Sequence, residues 1–208
     1  MKIENLLELL KSYNISENVI EAFKAIKREW FVPEEYKEYS YYDEVIPLFE
    51  DVTISQPSVV AFMLDLLEVG KGMKILEIGT GSGYSTALLS YLVGENGRII
   101  SMEINRRSYE YARSKLEELV TKNVIPDNFE LILGNGYYGY ERGCPYDRII
   151  CHAAIKNIPD YWLRQMEDGI IVAPVGGYYQ RLEKIIVRRG KIIEKYPTIE
   201  VIFVPLKI

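Results

Sequence analysis

A chain of 208 residues lies near the upper size for a single hydrophobic core, and 48% apolar against 26% charged residues excludes a disordered composition. Its 25 basic and 30 acidic residues leave a formal charge of -5, which excludes the strong positive field that draws in nucleic acid. The opening MKIENLLELLKSYN mixes acids with leucines where a secretion signal would be apolar, and no run approaches the roughly 20 apolar residues of a bilayer span, so a cytoplasmic chain without membrane contact is expected.

Ile3, Leu6, Leu7 and Leu10 recur at helical spacing, as do Val19, Ile20, Phe23 and Ile26 after Ser16, a candidate N-cap. The stretch WFVPEEYKEYSYYDEVIPLFEDV, with Pro33 and Pro47, has no stable period and is predicted to be a long irregular connection with a binding or lid role. Pro57 suits the first turn of a helix carrying Val60, Met63, Leu64 and Leu67, which Gly70 and Gly72 are expected to stop. Strands are predicted at 73–78, 98–103, 129–133 and 147–151, with helices after the first two, the second of these spanning 108–120. That alternation predicts an α/β fold, a doubly wound and mostly parallel sheet whose ligand sits beyond the strand C-termini. The closely spaced runs 170–173, 182–187, 192–193 and 200–204 predict an antiparallel extension.

The segment ILEIGTGSGY places Gly79, Gly81 and Gly83 where a strand must turn into a helix, with Thr80 and Ser82 between them. No Gly-Lys-Ser or Gly-Lys-Thr follows, and Tyr84 stands where a dinucleotide fingerprint would put its third glycine, so a phosphate cradle is not indicated. Glu103, at the next strand end, is placed to accept both hydroxyl protons of a ribose. Glu77, just before the loop, could pair with an amino-acid ammonium. Asn135 and Gly136 come from the following strand end; Asn135 either reads an adenine edge or makes a turn, and periodicity does not separate the two.

These motifs resemble the protein-L-isoaspartate O-methyltransferase family, which uses S-adenosylmethionine. The resemblance runs from Phe31-Val32-Pro33 through TISQP at 53–57, LEIGTGSGY at 76–84, PYDRII at 145–150 and PVG at 174–176 with Gln180, to FVPL at 203–206. It implies a Rossmann-like methyltransferase sheet with N-terminal helices and a C-terminal antiparallel extension. It further implies methyl transfer to the α-carboxylate of L-isoaspartyl residues in damaged proteins or peptides, the ester then closing to a succinimide. Ser55 takes the substrate-carboxylate role, and Thr53, Ile54, Gln56 and His152 line the substrate pocket. Gly79, Gly81, Gly83 and Glu103 take cofactor positions, with Asn135 facing adenine. One domain over 1–208 is expected, with 1–56 as its helical and substrate-loop region and 170–208 as its strand extension.

Transfer to a carboxylate needs no general base, so His152 is expected to serve in local hydrogen bonding or pocket lining. Cys144 and Cys151 are expected to be free thiols, and Cys151 beside His152 is not by itself a nucleophilic dyad. The 17 tyrosines come without a basic-aromatic module for nucleic acid. Phe49 to Val52 depart from the family, whose members often carry glycines and a glutamine there, and Glu50 and Asp51 would repel an acidic substrate if they pointed inward. The alternatives are a methyltransferase for another carboxylate or peptide acceptor, a non-enzymatic adenosine-binding or interaction protein and, against the glycine spacing, a nicotinamide oxidoreductase.

Overall fold

Helix α1 (Ile3–Ser12) buries Leu6 and Leu10, and α2 (Glu17–Ala25) buries Val19, Ile20, Ala22 and Phe23, as the spacing predicts. The computed structural model describes residues 2–50 and 52–207. Ser16 stands at the N-cap of α2 without a side-chain bond; its backbone N–H donates instead to Asp65 Oδ1 at 3.0 Å.

The expected irregular connection is more ordered than its sequence suggests. Two 3-10 turns, Arg28–Trp30 and Glu34–Tyr39, lead into an antiparallel hairpin of β1 (Ile46–Phe49) and β2 (Val52–Ile54). Ile46, Leu48 and Ile54 point to one side and join Val32 in a small core of their own. Pro47, which argued against a strand, sits on a two-stranded ribbon where a missing N–H is tolerated. Of the atypical 49–52 stretch, Asp51 lies outside the described residues; the Phe49 ring meets Tyr111 edge-on and has the Arg107 guanidinium 4.1 Å above it.

Helix α3 (Pro57–Leu67) begins on its proline but ends earlier than Gly70, at Glu68, which takes the left-handed conformation itself. Then come β3 (Lys74–Ile78), α4 (Tyr84–Val93), β4 (Arg98–Glu103), α5 (Arg106–Thr121), β5 (Phe129–Leu133), β6 (Arg148–Cys151), α6 (Asp160–Arg164), β7 (Gly169–Gly176), β8 (Gln180–Arg188) and β9 (Lys191–Val201). The sheet order is β5-β4-β3-β6-β7-β8-β9. Strands β3 to β7 pair in parallel, whereas β8 and β9 add antiparallel. The predicted run 192–193 and the start of the run 200–204 belong to one element, β9, which ends at Val201 and whose Pro197 is accommodated on the sheet edge.

Strands β3, β6 and β7 are apolar at successive positions because both sheet faces are covered. Ile75, Ile99, Ile150 and Val172 face the core shared with helices α1 to α5, while Leu76, Ile100, Ile149 and Ile171 face a second core closed by Trp162 of α6. Chain order reverses between β3 and β6, and a crevice opens there at their C-terminal ends. No helix among the described residues is long and apolar enough to cross a membrane.

Candidate active site

Backbone pairing carries the sheet straight into the crevice. Gly79 N donates to Met102 O at 2.8 Å, His152 N to Ile78 O at 2.8 Å and Gly134 N to Glu103 O at 2.9 Å, so the first residues beyond β3, β5 and β6 are fixed by continuations of the ladder. Gly79 and Gly81 both take positive φ, +92° and +56°, which turns the chain abruptly toward α4. An added Cβ on Gly81 would meet nothing within 4 Å, so this turn presents bare backbone to an open space that a ligand can fill.

Glu103 closes that space from the β4 side. Its Oε2 accepts Gly81 N–H and its Oε1 accepts Asn105 N–H, each at 2.8 Å. Each oxygen keeps a further acceptor site, and Glu103, 8% exposed, is held at the cleft wall by these two bonds. Of the two roles considered for Asn135 the turn is present: Oδ1 caps a 3-10 turn by accepting Tyr137 N–H at 2.9 Å, and the residue also lines the cleft. Gly136 is required by packing, since a Cβ there would overlap Ile78.

The cleft, about 1370 Å³, brings together Thr53, Ile54, Ser55, Gln56, Gly79, Thr80, Gly81, Ser82, Glu103, Asn135, Gly136 and His152. Two expected cofactor residues lie outside it. Gly83 packs where α4 crosses α5, a Cβ there standing 3.2 Å from that of Ala112. Glu77 is fully buried, turned away from the cleft into a polar cluster. Register sets Glu77 beside Ser101, whose hydroxyl donates to Oε2 at 2.6 Å, and Thr86 donates to the same oxygen at 2.5 Å. Thr80 Oγ1 lies 2.6 Å from Ser101 Oγ and extends the cluster. His152 Nε2 lies 3.2 Å from Glu77 Oε1 and 2.9 Å from Ser85 Oγ. Any effect of Glu77 on a cleft ligand is therefore exerted through a neighbour.

Ser55 lies on the opposite wall, on a loop organised by a residue that the sequence reading passes over. Arg28 is fully buried at the end of the N-terminal helices, and its guanidinium donates to the carbonyls of Ser40 (3.0 Å), Tyr42 (3.4 Å), Glu44 (3.0 Å), Ile54 (3.4 Å) and Ser55 (2.9 Å). Burial lowers its pKa to about 10, partly offset by Tyr84 and Asp43. Asp43 ties down the next residues by accepting Gln56 Nε2–H at 2.9 Å and Ser58 N–H at 2.8 Å. The arginine's partners are all backbone carbonyls, which leave no mark on side-chain identity; this is why no motif pointed to it.

A third wall comes from the end of the chain. Gln180 donates to Phe203 O at 3.0 Å and accepts Phe203 N–H at 2.7 Å, while Ala154 pairs with Val204 and Leu206 at 2.8 Å each. These bonds hold the FVPL segment against the cleft, which explains why Gln180 and FVPL accompany the glycine loop. Cys151, fully buried, has its thiol pushed up to about 12 by desolvation, and Cys144 is exposed; both are free.

Bare glycine backbone and a buried carboxylate at the strand ends of a sheet of this order are the features of a doubly wound, Rossmann-like methyltransferase fold. Comparison with known proteins narrows it. The model of the Protein-L-isoaspartate(D-aspartate) O-methyltransferase family matches residues 1–207, and the chain belongs to that family. A protein-L-isoaspartate O-methyltransferase of Methanothrix thermoacetophila is 41% identical over 99% of this chain and 95% of its own. One from Thermosipho melanesiensis is 39% identical over 96% and 98%. A solved protein-L-isoaspartate O-methyltransferase superposes with a TM-score of 0.89 at 31% identity, covering 98% of this chain, which spans 65% of that one. A Plasmodium falciparum beta-aspartate methyltransferase, solved with S-adenosyl-L-homocysteine, gives a TM-score of 0.86 at 26% identity over 100% and 99%. The chain is thus an S-adenosylmethionine-dependent enzyme of the isoaspartate repair family.

Proposed function

We propose that the cleft holds S-adenosylmethionine against the ends of β3, β4 and β6 and receives the α-carboxylate of an L-isoaspartyl residue from the side of Ser55. What carries this reading is that Ser55 and Glu103, on opposite walls and 48 positions apart in sequence, line one cleft. Its volume, about 1370 Å³, exceeds the roughly 300–1,000 Å³ of a small-molecule pocket and leaves room for peptide beside cofactor. The exposed Tyr178, Tyr179, Ile202 and Val204 offer apolar surface at its rim.

When bound, the cofactor supplies an activated methyl group. An ionised carboxylate is already nucleophilic, so the chain's task is orientation and exclusion of water. In this reading Ser55 Oγ donates to one carboxylate oxygen and leaves the other free to attack. Glu103 takes the ribose hydroxyls and the Asn135 amide reads the adenine. His152, already engaged with Glu77 and Ser85, has no proton to move in this step. Methanol leaves from the ester carbonyl far more readily than oxide from a carboxylate, so attack by the neighbouring backbone amide nitrogen closes the succinimide and expels methanol without further catalysis. The substrates are damaged proteins and peptides, and the site of action is the cytoplasm.

Labelled methyl transfer from S-adenosylmethionine to matched L-isoaspartyl and L-aspartyl peptides tests the assignment. Base-labile label is expected only on the isoaspartyl peptide. Equal labelling of both would shift the reading to another carboxylate acceptor, and cofactor binding without transfer to either would shift it to a binding protein.

A further inference from the structure

The reaction leaves the Glu77–His152 pair without a task, although it sits where the cleft meets the ends of β3 and β6. Glu77 is wholly enclosed, whereas the His152 side chain keeps 10% exposure and lines the cleft. The Thr86 and Ser101 hydroxyls both lie on Glu77 Oε2, at 2.5 and 2.6 Å, and leave Oε1 to the imidazole. A bare Nε2 lone pair facing Glu77 Oε1 at 3.2 Å would be repelled, so we assign the imidazole proton to Nε2, shared between Glu77 and Ser85. Nδ1 is then an acceptor. It has no hydrogen-bond partner among the described residues and is not sealed from solvent.

We propose that His152 Nδ1 receives the amino-acid ammonium of the S-adenosyl cofactor, with Glu77 behind it as the positioning residue that fixes the tautomer. This rests on the cofactor reading given above. Glu103 fixes the ribose at the tip of β4, so the amino-acid portion must extend across the glycine turn toward the tip of β6, where His152 stands. The turn and the ring adjoin: a Cβ on Gly79 would lie 3.4 Å from that of His152. A carboxylate bonded to one imidazole nitrogen fixes the tautomer and the orientation of the ring, as it does for histidines that hold metal ions. Such a dyad attracts a cation. A proton on Nδ1 turns the acceptor into a donor and repels the ammonium.

Calorimetric binding of S-adenosyl-L-homocysteine and of 5′-methylthioadenosine, which lacks the amino-acid portion, at pH 7.5 and 5.5 tests the assignment. These values span the range in which imidazoles titrate while the ligand's amino group stays protonated. The homocysteine compound is expected to bind at least about threefold more weakly at pH 5.5 than at pH 7.5, a proton displacing the ammonium. Methylthioadenosine should change by less than about twofold. Glu77 is the titratable group in contact with the ring; Glu103, Arg181, Glu183, Glu200 and Lys207 stand elsewhere on the cleft wall and act in both experiments. His152→Gln should flatten the homocysteine profile to that of methylthioadenosine, and the wild-type comparison decides the matter even if the variant does not fold. Parallel profiles for the two ligands overturn the proposal. So does tighter homocysteine binding at pH 5.5, which would make the ring a donor to the ligand carboxylate. Absence of binding by either ligand at both pH values would instead remove the cofactor reading itself.

Discussion

The two facing walls of the cleft are built by different means. On the sheet wall, Glu103, the glycine turn and His152 hang directly from β4, β3 and β6, and ladder bonds such as Gly79 N to Met102 O at 2.8 Å run on into the turns. On the loop wall, Ser55 follows two short strands, and the four buried residues of that hairpin cluster supply little burial of their own. The Arg28 guanidinium, itself out of water, joins that loop to the body. One wall is positioned redundantly by backbone and the other by two side chains, Arg28 and Asp43, so they should fail separately.

Arg28→Met gives the largest separation. It removes charge-assisted bonds to Ser40, Glu44 and Ser55 at 2.9–3.0 Å. At roughly 1.5 kcal/mol for each of the two bonds nearest the hairpin and Ser55, those to Glu44 and Ser55, kcat/KM for an isoaspartyl peptide should fall about 100-fold. Limited proteolysis should cut within 40–56, and S-adenosyl-L-homocysteine affinity should stay within about threefold. A matching loss of cofactor affinity would show that the walls are not independent. A crossed pair comes next. Glu103→Ala should weaken homocysteine-compound binding about 30-fold, at roughly 2 kcal/mol for a lost charged acceptor, whereas Ser55→Ala should cut kcat/KM about tenfold and leave that binding within twofold. Reversed patterns would exchange the two assignments. Gly83→Ala should have the smallest effect: strain at φ +86° and contact with Ala112 should cost about 1–2 kcal/mol and lower Tm by about 3–6 °C, with transfer activity per folded molecule unchanged.

The same contrast governs what the sequence discloses. Strands 98–103 and 129–133 are legible to the residue because turn signals bound both, although only the first is buried and the second is a half-buried edge strand. Ser55 and Glu103 are legible because a strand end or a motif fixes them locally. The β1–β2 hairpin is not, since four- and three-residue strands containing a proline fall below any periodic signal. Arg28 reaches residues 12 to 27 positions away through their carbonyls, and the Glu77–His152 bond spans 75 positions. Glu77 was expected to meet the ligand because it precedes the glycine turn; the parallel register with Ser101 shows which way it faces.

The outer edge of β9 bears on the work of such an enzyme. Lys191, Glu194, Lys195 and Pro197 are exposed along that edge, where charge and a missing N–H discourage another strand from adding on. An enzyme that must approach aged chains, partly extended and prone to pair, meets the hazard of becoming a seed for their aggregation. With this edge blunted by charge and proline, it can hold one damaged residue in the cleft while offering the client's extended backbone little to pair with along β9.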